Sequence, residues 1–234
     1  MNLLPTATAS DVRSADYRVA VLPVGSLEQH GDHLPITTDT LVASILGDEI
    51  SRNYGLFLLP PVTFGCSHEH AALGATVSIR ATTLYDVVND IADSLARAGI
   101  TRLVVVNGHG GNYVLSNVVQ EANERERRMA LFPSRPDRDH ARVAARLETT
   151  GHEDMHAGEL ETSLLLHALP EVVRPGFESG DNDAPDRPQL SMLGMSGYTT
   201  SGVIGRPSLA SADKGKLLLD SLSGAFAAHL DLLK

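Results

Sequence analysis

The sequence predicts an α/β fold, a three-layer α/β/α sandwich around a mostly parallel sheet, from three observations. Short apolar, β-branched runs recur at Arg18–Gly25, Leu56–Pro60, Arg102–Asn107 and Met129–Pro133. Segments with helical spacing of apolar residues alternate with them. The runs are apolar almost throughout, not at every second residue, which is the pattern of parallel strands covered on both faces.

The first run, RVAVLPVG, reads as a buried strand closed by glycine. Ser26–Thr38 is polar, rich in histidine and carries Gly31 and Pro35, so it reads as a loop. Asp39 precedes Thr40–Leu46, a helix start. Leu56–Pro60 is a second strand, and Phe64–Ala75 is a loop of small and polar residues. Val87, Val88, Ile91, Leu95 and Ala98 mark a helix over Leu84–Ala98. Arg102–Asn107 is a third buried strand, whose glycine-rich turn leads into a helix over Val114–Arg125. Met129–Pro133 is a short fourth strand. Phe177–Gln189 is rich in Gly, Asp and Pro and reads as a surface loop within one domain. Ala212–Leu233 reads as an amphipathic terminal helix. With no internal repeat and no low-complexity tract, the expectation is one domain over residues 1–234.

Composition narrows the function classes. Hydrophobic residues at 42% and charged residues at 21% are the balance of a globular protein that is not membrane-embedded. The formal charge of −10 argues against nucleic acid as the main partner, since phosphate binding needs a basic footprint. Cys66 is the single cysteine, so no disulfide can form within the chain, which is compatible with a reducing compartment. Its expected role is packing, not nucleophilic attack. Met1–Arg18 lacks a charged start followed by an apolar run, and no apolar run approaches the ~20 residues that span a bilayer. A cytoplasmic protein without a membrane partner is expected.

Three segments carry candidate chemistry. Glu28-Gln29-His30 follows the first strand, and in extended chain residues two apart point the same way, so Glu28 and His30 can face one site. Asp32, His33 and Asp39 follow; carboxylate plus imidazole is a ligand set for zinc, manganese or iron. A solvated polar loop explains an isolated Glu-x-His equally well. His109 lies in the turn after the third strand, and ligand sites in open α/β sheets form beyond the carboxyl ends of strands. The turn could instead cradle a phosphate at a helix N-terminus, although it matches neither Gly-x-Gly-x-x-Gly nor the P-loop pattern. In the third segment, His156 precedes Glu161. On one continuous helix the two would lie about 140° apart at ~3.6 residues per turn. They can serve one site only if His156 stands in the preceding loop and Glu161 in the first helical turn. An acidic helix start favoured by the macrodipole explains Glu159 well and His156 poorly. Ser67, Glu69 and His70 read as pocket lining.

Taken together, these segments resemble the creatininase family of metal-dependent amidohydrolases. The resemblance rests on Gly25–Pro35, Thr38–Thr40, Val106–Asn112, His156–Gly158 with Glu161–Ser163, and Gly202–Pro207, in the family's order. It implies a creatininase-like three-layer fold, often a homohexamer, and a binuclear site. Glu28, Asp39 and His109 would hold one divalent ion; His30 and Asp39 would hold the other, with Asp39 bridging. His156 matches a histidine that works beside the substrate. Creatininase carries a tyrosine and a ligating glutamate where Gly110 and Gly111 stand here, and a tryptophan where His152 stands. The chain has no tryptophan, so creatinine is not the expected substrate. Glu161 is the expected replacement ligand, with Gly110 and Gly111 opening the substrate side. The double-glycine form looks more like family members that cut other amides, such as formamidopyrimidine deformylase and the peptidase of the mycofactocin precursor.

The expected reaction is hydrolysis of an amide, cyclic amide or small-peptide C–N bond. Two divalent ions, zinc first with manganese or iron as alternatives, share and activate a water. His156 passes a proton to the leaving nitrogen, and Glu153 or Glu159 orients His156. A non-catalytic nucleotide or sugar-phosphate binding domain is the rival reading. It explains the glycine-rich turn but leaves Glu28, His30, Asp39 and Glu161 without a role.

Overall fold

The computed structural model describes residues 4–233. In chain order the elements are α1 (Ala9–Ala15), β1 (Val19–Val24), α2 (Thr38–Tyr54), β2 (Phe57–Leu58), α3 (Ala81–Arg97), β3 (Arg102–Asn107), α4 (Val114–Ala122), β4 (Met129–Phe132), α5 (Arg135–Ala144), α6 (Glu159–Ala168), α7 (Leu190–Leu193) and α8 (Ala212–Leu232). The four strands form one parallel sheet in the order β2-β1-β3-β4.

Alternation along the strands builds two cores. Val21 of β1 and Val104 and Val106 of β3 pack with residues of α2, α6 and α8 on one face. Ala20, Leu22 and Val24 of β1 and Leu103 and Val105 of β3 pack with α3 and α4 on the other. Both faces are therefore buried, which gives three layers and explains the absence of a polar face in the strand sequences. No helix among the described residues is long and apolar enough to cross a membrane.

The structure departs from the sequence reading at element ends. β2 is only two residues long, because Pro60 and Pro61 follow and cannot donate to a ladder. α4 stops at Ala122, short of Arg125. There Asn123 accepts from the backbone N–H of Arg128 and Met129 and donates to Met129 O, which turns the chain into β4. The loop Phe64–Ala75 contains a 3-10 turn over His68–Leu73. Helices α1, α5 and α7 were not anticipated. α1 and α5 begin with reciprocal caps, Thr8 with Asp11 and Ser134 with Asp137.

β1 and β3 are neighbours, with Val24 opposite Asn107, so the segments after them emerge side by side. Helix α2 drives its first turn into the same place. An added Cβ at Gly25 would meet Thr40 N at 2.3 Å, and one at Gly108 would meet Asp39 O at 2.2 Å. These two strand-end glycines let Asp39 sit directly above the sheet edge. Gly108→Ala should displace that turn, lowering stability by about 1–3 kcal/mol and reducing bound metal. Denaturant unfolding and metal analysis of the variant check this.

Candidate metal centre and cavity

Leu27 bridges antiparallel to Val77, and Glu28 N–H donates to Ile36 O at 2.9 Å. The segment after β1 is thus held extended, and both Glu28 and His30 turn inward with no exposed surface. Asp39, in the first turn of α2, lies between two imidazoles. His30 Nε2 is 3.1 Å from its Oδ1, and His109 Nδ1 is 2.9 Å from its Oδ2. Ser26 Oγ donates to Asp39 Oδ2 at 2.6 Å and fixes the carboxylate plane.

Backbone carbonyls decide which nitrogen each histidine presents. A carbonyl oxygen only accepts, so the ring nitrogen facing it carries the proton. His30 Nδ1 donates to Glu28 O (3.1 Å), His109 Nε2 to Cys66 O (3.0 Å) and His156 Nε2 to Gln29 O (2.7 Å). In the neutral ring the opposite nitrogen then offers its lone pair to the centre, the arrangement a metal ligand requires. His70 is set the other way: Gln29 Nε2 donates to its Nδ1 at 3.0 Å, leaving the Nε2–H 3.3 Å from Glu28 Oε1.

Charge is concentrated here. Glu28 Oε2 is buried without a partner, and Oε1 makes no aligned hydrogen bond although His109 Nδ1 and His70 Nε2 lie 3.2 and 3.3 Å away; burial raises the Glu28 pKa, with Asp39 adding to the effect. Burial opposes charge on His30, yet Asp39, Glu161 and Glu28 outweigh it and push its pKa up to about 9. His109 is driven up in the same way. Burial pulls His70 down to about 3 and lowers His156 as well. The acids therefore draw positive charge into the centre, and orphaned carboxylate oxygens beside aimed imidazoles fit divalent cations. Ligand atoms converge within 4.8 Å of one another in three groups: Glu28, Asp39 and His109; His30, Asp39 and Glu161; and Glu28, His30 and His156.

His156 stands in the loop ahead of α6, where it bridges to Ile204, and Glu161 occupies the first turn of that helix. This is the arrangement that lets both reach one site. Ala157 between them has a left-handed φ of 53°, and its N–H donates to Glu161 Oε2 at 2.6 Å. Asp154 anchors the segment. It pairs with Arg142 Nη1 at 3.0 Å and accepts from the N–H groups of Glu159 and Leu160 at the start of α6.

The family profile described as creatininase, creatinine amidohydrolase, matches residues 5–230. The chain belongs to the creatininase family. It is 35% identical over 225 residues to the mycofactocin precursor peptide peptidase of Mycobacterium ulcerans, covering 91% of this chain and 84% of that one. It is 27% identical over 223 residues to the creatinine amidohydrolase of Pseudomonas putida, covering 86% and 84%. A solved structure of manganese creatininase superposes with a TM-score of 0.80 at 24% identity, over 96% of this chain and 95% of that one. The protein is accordingly a hydrolase of carbon–nitrogen bonds with the creatininase fold and a metal-binding site.

A cavity of about 680 Å³ opens onto the centre. Of the residues expected on the substrate side, Glu69, His70, Gly110 and Gly111 line it. At Gly111 an added Cβ would meet Glu69 Oε1 at 2.2 Å and Cys66 O at 2.6 Å, so this creatininase-family chain has no room for a glutamate there.

Two expectations fail. Ser67 is fully buried behind His109, with its Oγ 3.4 Å from His109 Nε2, so it supports the imidazole and does not face substrate. Glu153 does not orient His156. It is exposed, and its carboxylate is taken by Thr150 N and Oγ1, both at 2.8 Å. Glu159 is directed at Lys214 and Thr149 instead. The orienting group is the Gln29 carbonyl, a backbone atom with no side-chain signature. Sequence reasoning also missed Tyr113, Met155, Asp186, Arg187, Pro188 and Leu190 on the cavity wall, since loop residues reach it only through the tertiary fold.

Asp154→Ala should cost about 3–5 kcal/mol, the scale for stranding the buried partner of an ion pair, here Arg142. It should also weaken metal binding through the displaced Glu161. Denaturant titration and metal analysis measure both effects.

Proposed function

We propose that the chain is a two-metal amidohydrolase acting on an amide, cyclic amide or short-peptide C–N bond. The observation that carries this reading is Asp39, whose carboxylate belongs to two separate ligand groups at once. In this reading Glu28, Asp39 and His109 hold one divalent ion, and His30, Asp39 and Glu161 hold the other. Zinc is our first assignment; manganese and ferrous iron suit the same nitrogen and oxygen donors. Such ions, when bound, lower the pKa of a water toward neutrality and polarise a carbonyl.

The remaining work belongs to the protein. His156 starts with Nδ1 unprotonated, so it accepts a proton during attack and returns it to the leaving nitrogen. The Gln29 carbonyl keeps that nitrogen aimed inward. Glu69 and His70 line the substrate side, and Gly110 and Gly111 keep it open. A cavity of about 680 Å³ accommodates a ligand well beyond the size of creatinine, and the similarity to the mycobacterial peptidase supports a short peptide or peptide-like amide. Family resemblance is the ground for assigning a homohexamer; a cytoplasmic location and one domain per chain are our reading of cysteine usage, composition and length. A non-catalytic phosphate-binding role has less support, because the glycine-rich turn presents His109 toward carboxylates, a setting that repels a phosphate.

Asp39→Asn should lower bound metal from two per chain and abolish hydrolysis across a panel of amides. Two retained ions with full turnover would contradict the bridging role. His156→Ala should keep both ions while turnover falls at least ~10²-fold. Loss of an ion in that variant would instead place His156 among the ligands. Glu161→Gln should release one ion and leave the other, as measured by elemental analysis after dialysis.

A further inference from the structure

The loop ahead of α7 carries Arg187 to the wall of the cavity. Two of its guanidinium N–H groups are held by backbone carbonyls, those of Ala184 and, at 2.8 Å, His152. The bond to His152 clasps the loop to the segment that bears His156, and the two bonds together fix the plane of the guanidinium. Its other N–H groups have no partner among the described residues. Asp186 and Tyr198 act on it only through space. Asp186 is exposed on the same rim, so water screens it, whereas Arg187 is half-buried and burial lowers its pKa. A preorganised, partly desolvated cation facing an active-site cavity is a site for an anion.

We propose that Arg187 is the subsite for a carboxylate carried by the substrate. The proposal rests on the amidohydrolase reading: the amide to be cut lies at the Asp39 end of the cavity and the acid at the Arg187 wall. Tyr113, Met155, Pro188 and Leu190 line the same cavity and supply apolar surface. The substrate class is therefore an N-acyl amino acid or short peptide with an apolar side chain and a free carboxylate. A lone guanidinium with Asp186 nearby suits a monoanion better than a phosphate dianion.

Binding and turnover separate this claim from the reading beneath it. N-acetyl dipeptides ending in Gly, Leu or Phe, each as free acid and as carboxamide, are titrated calorimetrically into the metal-loaded chain, and their hydrolysis is followed separately. The acids should bind roughly ten- to a hundredfold tighter than their amides, the range of a charge-assisted pair. In Arg187→Met that ratio should fall to about one, with the acids losing far more affinity than the amides, which lose only what the broken clasp costs. Arg187→Lys, which keeps the charge, should retain part of the preference. A ratio near one in the unaltered protein overturns the proposal, as does a ratio that survives in Arg187→Met. Equal weakening for acids and amides in both variants also overturns it and leaves Arg187 as a loop clasp alone. Absent hydrolysis of every probe with the binding ratio intact would count against the amidohydrolase reading and not against the subsite.

Discussion

Buried carboxylates must be compensated, and the structure is organised around that constraint. Glu28 is wholly buried and Asp39 nearly so, with Glu161 beside them. Placing ionised acids together away from water is unfavourable by several kcal/mol each unless positive charge accompanies them. The chain supplies two imidazoles in contact with Asp39, but Glu28 Oε2 has no partner and Oε1 meets His109 and His70 without an aligned hydrogen bond. A cluster so unfavourable by itself is a stability burden that a bound cation would offset.

The scaffold makes the cluster possible in three ways. Neighbouring parallel strands release their following segments at one edge of the sheet. Glycines at the ends of β1 and β3 admit the first turn of α2, so Asp39 enters where a Cβ would block it. Backbone carbonyls of Glu28, Cys66 and Gln29 then bind the outer nitrogens of three histidines, aiming the inner ones. Main-chain groups in a close-packed region are stiffer than side chains, so the geometry of the cluster is set by the backbone itself.

Much of this was legible in the sequence. The sheet was readable because its strands are short apolar runs without alternation, and the same reading put His109 and the Glu28–His30 segment at strand ends. The pairing of His156 with Glu161 was readable as a geometric condition, and the break in conformation at Ala157 meets it. What the sequence hid falls into two kinds. Ser67 and Glu153 were placed by proximity in the chain, yet one is turned behind an imidazole and the other caps a turn in solvent. Carbonyl partners and the loop wall around Arg187 carry no residue-type signal at all, since they depend on which distant backbone packs against which. The caps of α1 and α5 stand in the sequence as Thr8-x-x-Asp11 and Ser134-x-x-Asp137, but both helices carry few large apolar residues to mark them as helices.

In the proposed site, Asp39 joins two metal positions. Anomalous diffraction from crystals grown with zinc tests it most directly. Two peaks are expected, one in contact with Glu28, Asp39 and His109 and the other with His30, Asp39 and Glu161. A single peak, or two peaks of which one lies out of reach of Asp39, would contradict it.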